Sequence, residues 1–176
     1  VVSLLYKNKQ AMTIIESLLK DIEQEAQTTR KFLKIVPEDK YDWRPHPKSM
    51  SLQQLITHIA ELPAWITMAI TTDGLDFAAN PYEPSKIDNN ADLLEFFEET
   101  YADGRAHLQA FNEADLEKPW ILRNGEHVLA NMNKYDTIRV AISQTIHHRA
   151  QLGVFLRLLD IPIPGSYGPS GDEMPK

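Results

Sequence analysis

Asn133–Asp160, NKYDTIRVAISQTIHHRAQLGVFLRLLD, carries a clear helical period and the chain's only adjacent pair of histidines. Advancing ~100° per residue, Ile138, Ala141, Ile142, Thr145, Leu152, Leu156 and Leu159 gather on one side, the expected core face. His148 falls within that face. Gln144 lies one turn earlier on its flank, so the two stack as neighbours four apart. His147 points elsewhere and joins Val140, Val154 and Leu158 in a second stripe, roughly opposite the first. Asn133, with Asp136 in the first turn, has the chemistry of an N-cap, and the stretch is predicted as a helix over 133–160.

Three further segments show the same period. One is predicted over about 10–36, with Ile15, Leu18, Ile22, Ala26, Thr29, Phe32 and Val36 on one stripe and Pro37 as its stop. Another is predicted over 51–71. It opens with Ser51 and Gln54 at capping-box spacing, runs through Leu52, Leu55, Ile59, Leu62, Ile66 and Ile70, and should kink at Pro63, one turn beyond His58. A third is predicted over 91–113 and carries Leu93, Phe97, Thr100, Gly104, His107, Leu108 and Phe111. Between it and the last helix, an Asn124-Gly125 pair separates two short apolar runs within Trp120–Leu129, a hairpin signal. Long connections suggest a four-helix bundle with at least one crossover, its loops capping one end and shaping a cleft. The expected fold is all-α, one domain over 1–176 with a small β-hairpin between the third and fourth helices and a tail over 161–176.

Composition narrows the function. A length of 176 residues suits one domain, and 43% apolar with 24% charged residues is the balance of a soluble globular protein. Mean hydropathy of -0.36 and the lack of an apolar run near ~18 residues argue against a membrane span. A net charge of -7 without a basic run argues against nucleic acid as a partner. The absence of cysteine removes disulfides, thiolate nucleophiles and Cys-based zinc sites, so any metal must be held by His, carboxylate or amide oxygen. The first residues lack the basic end and cleavage site of a secretory signal, and the expected location is cytoplasmic.

His58 falls on the flank of the second helix's apolar face. Two imidazoles flanking the cores of two helices can meet across a seam, which is how bundles build metal sites. Neutral imidazole suits zinc, nickel or ferrous iron. Glu61, three residues on, or Gln54, one turn before, could orient His58 or hold a bound water. A histidine on an apolar flank is more often a hydrogen-bonded core residue than a ligand, and spacing leaves both readings open. His46 and His127 read as surface residues. His107 borders the third helix's apolar face, as a core residue or a further ligand, and Arg149 reads as a bridge to a carboxylate or a helix end.

Trp43-Arg44-Pro45-His46-Pro47, followed by Ser51–Trp65 with its central Thr57-His58-Ile59-Ala60-Glu61, resembles the first signature of the DinB/YfiT-like family. His147-His148-Arg149-Ala150-Gln151-Leu152, then Leu156–Leu159 and the tail Ile161–Ser170, resembles the second. The resemblance covers nearly the whole chain. It implies a four-helix bundle of up-down-down-up topology, often dimeric, in which three histidines hold nickel, zinc or iron. It further implies chemistry like that of thiol-dependent S-transferases and a mycothiol-dependent isomerase. Residue by residue, the ligands map to His58, position 144 and His148. Position 144 is Gln144, a departure, because an amide oxygen is a weaker donor than imidazole.

Two functions follow. The first is a divalent-metal-dependent enzyme, a thiol-dependent S-transferase or a hydrolase, acting on a small molecule. His58, Gln144 and His148 are its ligands, Glu61 its proton acceptor, and a low-molecular-weight thiol its possible cosubstrate. The second is a non-catalytic homodimeric bundle that binds a small ligand, its metal site degraded by Gln144 and its partner surface supplied by Val140, His147, Val154 and Leu158.

Overall fold

The computed structural model describes residues 11–175. Its helices are α1 (Ile14–Leu33), α2 (Leu52–Glu61), α3 (Ala64–Thr71), α4 (Asn90–Ala110) and α5 (Lys134–Leu158), and its strands β1 (Gly74–Asp76), β2 (Pro119–Asn124) and β3 (His127–Asn133). Among the described residues no helix is long and apolar enough to cross a membrane.

Local chemistry explains the helix starts. Thr13 and Glu16 form a reciprocal capping box at α1, which begins at Ile14; the expected start at Gln10 lies outside the described residues. Ser51 and Gln54 form a second box at α2, with Ser51 N–H donating to Gln54 Oε1 at 2.8 Å. Asn89 and Asn133 each accept a backbone N–H with the side-chain oxygen, from Asp92 and Asp136, at the starts of α4 and α5. The α1 stripe from Ile15 to Val36 is buried throughout, although the helix itself stops at Leu33.

The expected single helix over 51–71 is instead two. Leu62 N–H still donates to His58 carbonyl, but beyond it the bonds shorten to the three-residue type, Trp65 to Leu62 and Ile66 to Pro63, both 3.1 Å. Pro63 has no N–H to continue the ladder, so the chain turns tightly there rather than bending. α4 approaches closely at this break. A Cβ on Gly104 would sit 2.6 Å from the Pro63 carbonyl oxygen, so only glycine fits.

α1 and the α2–α3 pair each pack against both α4 and α5. Along α1 and α5, Asp21 meets Arg139 and Glu25 meets Arg149. Along α1 and α4, Glu23 meets Tyr101 and Arg30 meets Glu98. Thr100 of α4 donates to the Ala60 carbonyl at 2.7 Å and Thr67 to Asp103 at 2.6 Å. The shared core draws on all of these helices, including Leu18, Leu33, Ile56, Leu93, Leu108 and Ile138.

One expectation on α5 needs correction. The centre of its buried face is occupied by Arg149, 1% exposed, while His148 sits half-exposed on the flank. Thr145, Arg149, Leu152 and Leu156 repeat at spacings of four, three and four, and an apolar-only reading of the period passes over the arginine. Val140, Val154 and Leu158 are exposed on the other side.

β2 and β3 pair antiparallel, with Asn124 opposite His127. The two turn residues are therefore Gly125 and Glu126, and Gly125 at φ 61° takes the left-handed position that begins a type II′ turn. β1 adds a third, parallel strand beside β2. It is too short for any alternation to betray it in the sequence. Trp120 of β2 is fully buried, and its indole N–H donates to Thr72 at 3.1 Å, which ties the sheet to the end of α3.

Candidate metal and ligand site

α2 and α5 bring His58 and His148 face to edge. Their ring centroids lie 4.7 Å apart with planes at 80°. His148 Nδ1 is 2.8 Å from Gln151 Oε1, and an amide oxygen only accepts, so Nδ1 carries the proton and Nε2 keeps its lone pair. Burial is the main influence holding the His148 ring below its ordinary pKa, opposed by the Gln151 bond and reinforced by the neighbouring His58 and His147. The ring is thereby kept neutral near pH 7.

His58 Nδ1 lies 3.8 Å from Glu61 Oε2, an electrostatic approach longer than a hydrogen bond. Glu61 is itself held by the Tyr82 hydroxyl at 2.7 Å and the Ser85 N–H at 3.3 Å. Burial pushes the Glu61 carboxyl upward, but His58, Tyr82 and Ser85 together hold it below its ordinary 4.5. A depressed folded-state pKa contributes stability above about pH 4.5, and that stability is lost as pH falls through the lowered value. Glu61→Gln is accordingly expected to lower the thermal midpoint at pH 6–7, with the deficit shrinking steadily toward pH 3. A deficit independent of pH would mean that the carboxylate charge is not what holds this corner.

Gln144 is exposed one turn before His148. Gln54, considered as an orienting group for His58, spends its side-chain oxygen on the α2 cap. His107 is not part of this cluster. Its Nδ1 lies 3.0 Å from the Asp103 carbonyl and 3.3 Å from the Asp103 carboxylate, and it faces Thr67 between α3 and α4. His46 and His127 are exposed. Among the described residues no group of three or more His, Asp or Glu side chains stands together in an arrangement that could hold a metal ion.

Beside His58 opens a groove of about 570 Å³. Met50, Trp65, Met68, Leu75 and Phe77 form its apolar wall, and Gln54, Glu61, Asn80, Tyr82 and Glu83 supply its polar groups. The segment 75–83 was invisible to sequence reasoning as part of a site, because it has no period. Its one signal is an aromatic residue bracketed by prolines, Pro81-Tyr82-Glu83-Pro84.

Arg149, as expected of a bridging residue, pairs with Glu25 at 2.6 Å and reaches Tyr167 of the tail at 3.1 Å. The tail is pinned further by Asp172, which accepts from Arg157 and from Ile163 N–H.

Residues 21–152 match the family model described as DinB superfamily. The chain belongs to that superfamily. No curated protein matches it. Among solved structures, this DinB-superfamily chain is similar to a DinB-like protein from Bacillus subtilis at 20% identity and TM-score 0.65, covering 85% of this chain and 97% of that one. It is also similar to YfiT from Bacillus subtilis, described as a probable metal-dependent hydrolase with an unusual four-helix bundle topology. That match has 12% identity and TM-score 0.64, covering 89% of this chain and 95% of YfiT. A mycothiol-dependent maleylpyruvate isomerase aligns at 13% identity and TM-score 0.58, over 80% of this chain and 61% of the isomerase. At these identities the likeness is one of fold.

Proposed function

We propose that this DinB-superfamily chain is a divalent-metal-dependent enzyme acting on a small molecule, by transfer of a thiol or by hydrolysis, with His58, His148 and Gln144 as ligands. The observation that carries the reading is the meeting of two imidazoles from separate helices, at 4.7 Å between centroids, beside an apolar groove. The donor chemistry fits. His148 is a neutral ring with Nε2 free, Glu61 is placed to orient His58 in the same sense, and Gln144 or water completes the set. Zinc, nickel or iron held there would supply Lewis acidity and lower the pKa of a bound thiol or water.

Glu61 starts the reaction ionised and engaged by Tyr82 and Ser85. Its part is first to hold His58, and it accepts a proton only from a donor acidified in the site. The chain has no cysteine, so a low-molecular-weight thiol must arrive as cosubstrate if the reaction is a transfer. An up-down-down-up order belongs to the same reading. It is supported by contacts that ascend together along α1 and α5 (Asp21 to Arg139, Glu25 to Arg149) and run in opposition along α1 and α4 (Glu23 to Tyr101, Arg30 to Glu98).

A second reading, a non-catalytic homodimer that binds a small ligand, draws on the exposed Val140, Val154 and Leu158 and on Gln144 in place of an imidazole. Elemental analysis of protein purified without chelator separates the two. The first reading expects near-stoichiometric zinc, nickel or iron, its loss in His148→Ala, and at least about tenfold tighter binding in Gln144→His, since imidazole outcompetes an amide oxygen for these ions. Metal-free protein, with His148→Ala as stable as the parent, would favour the second.

A further inference from the structure

The groove beside His58 is one-sided in charge. Trp65, Phe77 and Tyr82 contribute rings, Glu61 and Glu83 contribute carboxylates, and neither Lys nor Arg lines it. Lys86, the next cation along this segment, is paired with Asp88 at 3.1 Å. The chain as a whole carries a net charge of -7. Aromatic faces present the negative side of their quadrupole, and carboxylates on low-dielectric walls focus a field of the same sign, so both attract cations and repel anions. The two methionines add a pliable apolar surface suited to an alkyl or aryl body.

We infer that this groove takes a small aromatic or alkyl amine, a cation carried on an apolar body, and rejects carboxylates and phosphates built on the same body. The inference names a substrate class for the site proposed above and rests on that site being where the small molecule binds. The charge arrangement is a property of the protein walls alone, so it can be read without the metal.

The test is calorimetric titration of the full chain with three probes of one shape: benzyltrimethylammonium, benzyl alcohol and phenylacetate. Each is measured as purified and again after chelation. The expected order is cation, then neutral, then anion, with at least about tenfold between the first and the last. Glu83 is exposed, so Glu83→Lys should leave folding intact while weakening the cation and strengthening the anion by about tenfold each. Equal or tighter binding of phenylacetate by chelated protein, no binding of any probe, or an order untouched by Glu83→Lys would overturn the inference. A metal-free protein that still ranks the probes in this order sinks only the metal-dependent reading. A protein that is purified with metal but does not rank the probes in this order once chelated sinks only this one.

Discussion

Arg149→Ala is expected to destabilise the fold by about 3–5 kcal/mol, because it strands a partner charge inside the protein. Arg149 is 1% exposed and its guanidinium lies 2.6 Å from Glu25 Oε2. It also donates to the Glu25 carbonyl at 3.2 Å and to Thr29 Oγ1 at 3.1 Å. Truncation leaves the buried Glu25 carboxylate with the Tyr167 hydroxyl, at 2.9 Å, and no opposing charge. The double change Arg149→Met with Glu25→Leu removes both charges and should recover most of the loss, since burying an ion pair costs desolvation that an apolar pair avoids. Urea denaturation of the two variants and the parent measures this directly. Hydrogen exchange should report faster opening of 163–173 in Arg149→Ala, because Tyr167 is one of the tail's anchors. A single variant within about 1 kcal/mol of the parent would show the pair to be far more solvated than its geometry implies.

Lys134→Met should destabilise by about 2–4 kcal/mol, with a second effect on the groove. Lys134 is 3% exposed, and its ammonium donates to the carbonyls of Ala69 at 2.9 Å, Ile70 at 3.3 Å and Thr72, with Asp73 Oδ1 at 3.4 Å. These are the open carbonyls at the end of α3, which has no following turn to satisfy them. Methionine keeps the apolar stem but withdraws every donor. Since α3 carries Trp65 and Met68 into the groove, the released helix end should loosen that wall and weaken probe binding along with stability. Unchanged binding in a destabilised variant would show that the wall is held by α3's packing on α4 rather than by this lysine.

Both residues show where sequence reading falls short. Arg149 could be recognised as a bridge, but its place at the centre of the α5 face depends on Glu25 and Thr29, more than a hundred residues away, being folded beside it. Lys134 looks like an ordinary first-turn lysine until the end of α3 is laid against it. His58 was legible as a flank residue because helical phase is local, whereas His148 read as part of the core face that Arg149 in fact centres. The Tyr82 and Ser85 contacts that set Glu61 were not, since a loop without period carries no positional code.

The amino-acid sequence by itself determined the helices over most of their length, their caps at Ser51 and Asn133, the interruption at Pro63 and the flank position of His58. Each of these depends on neighbours within a turn or two along the chain. Only the tertiary structure decided that Arg149 rather than His148 sits at the heart of the α5 face, that Gly74–Asp76 becomes a strand beside β2, and that 75–83 closes an acidic, aromatic groove over α2. Those features arise from burial and hydrogen bonding between segments distant in sequence, whose energies exist only once the bundle has assembled.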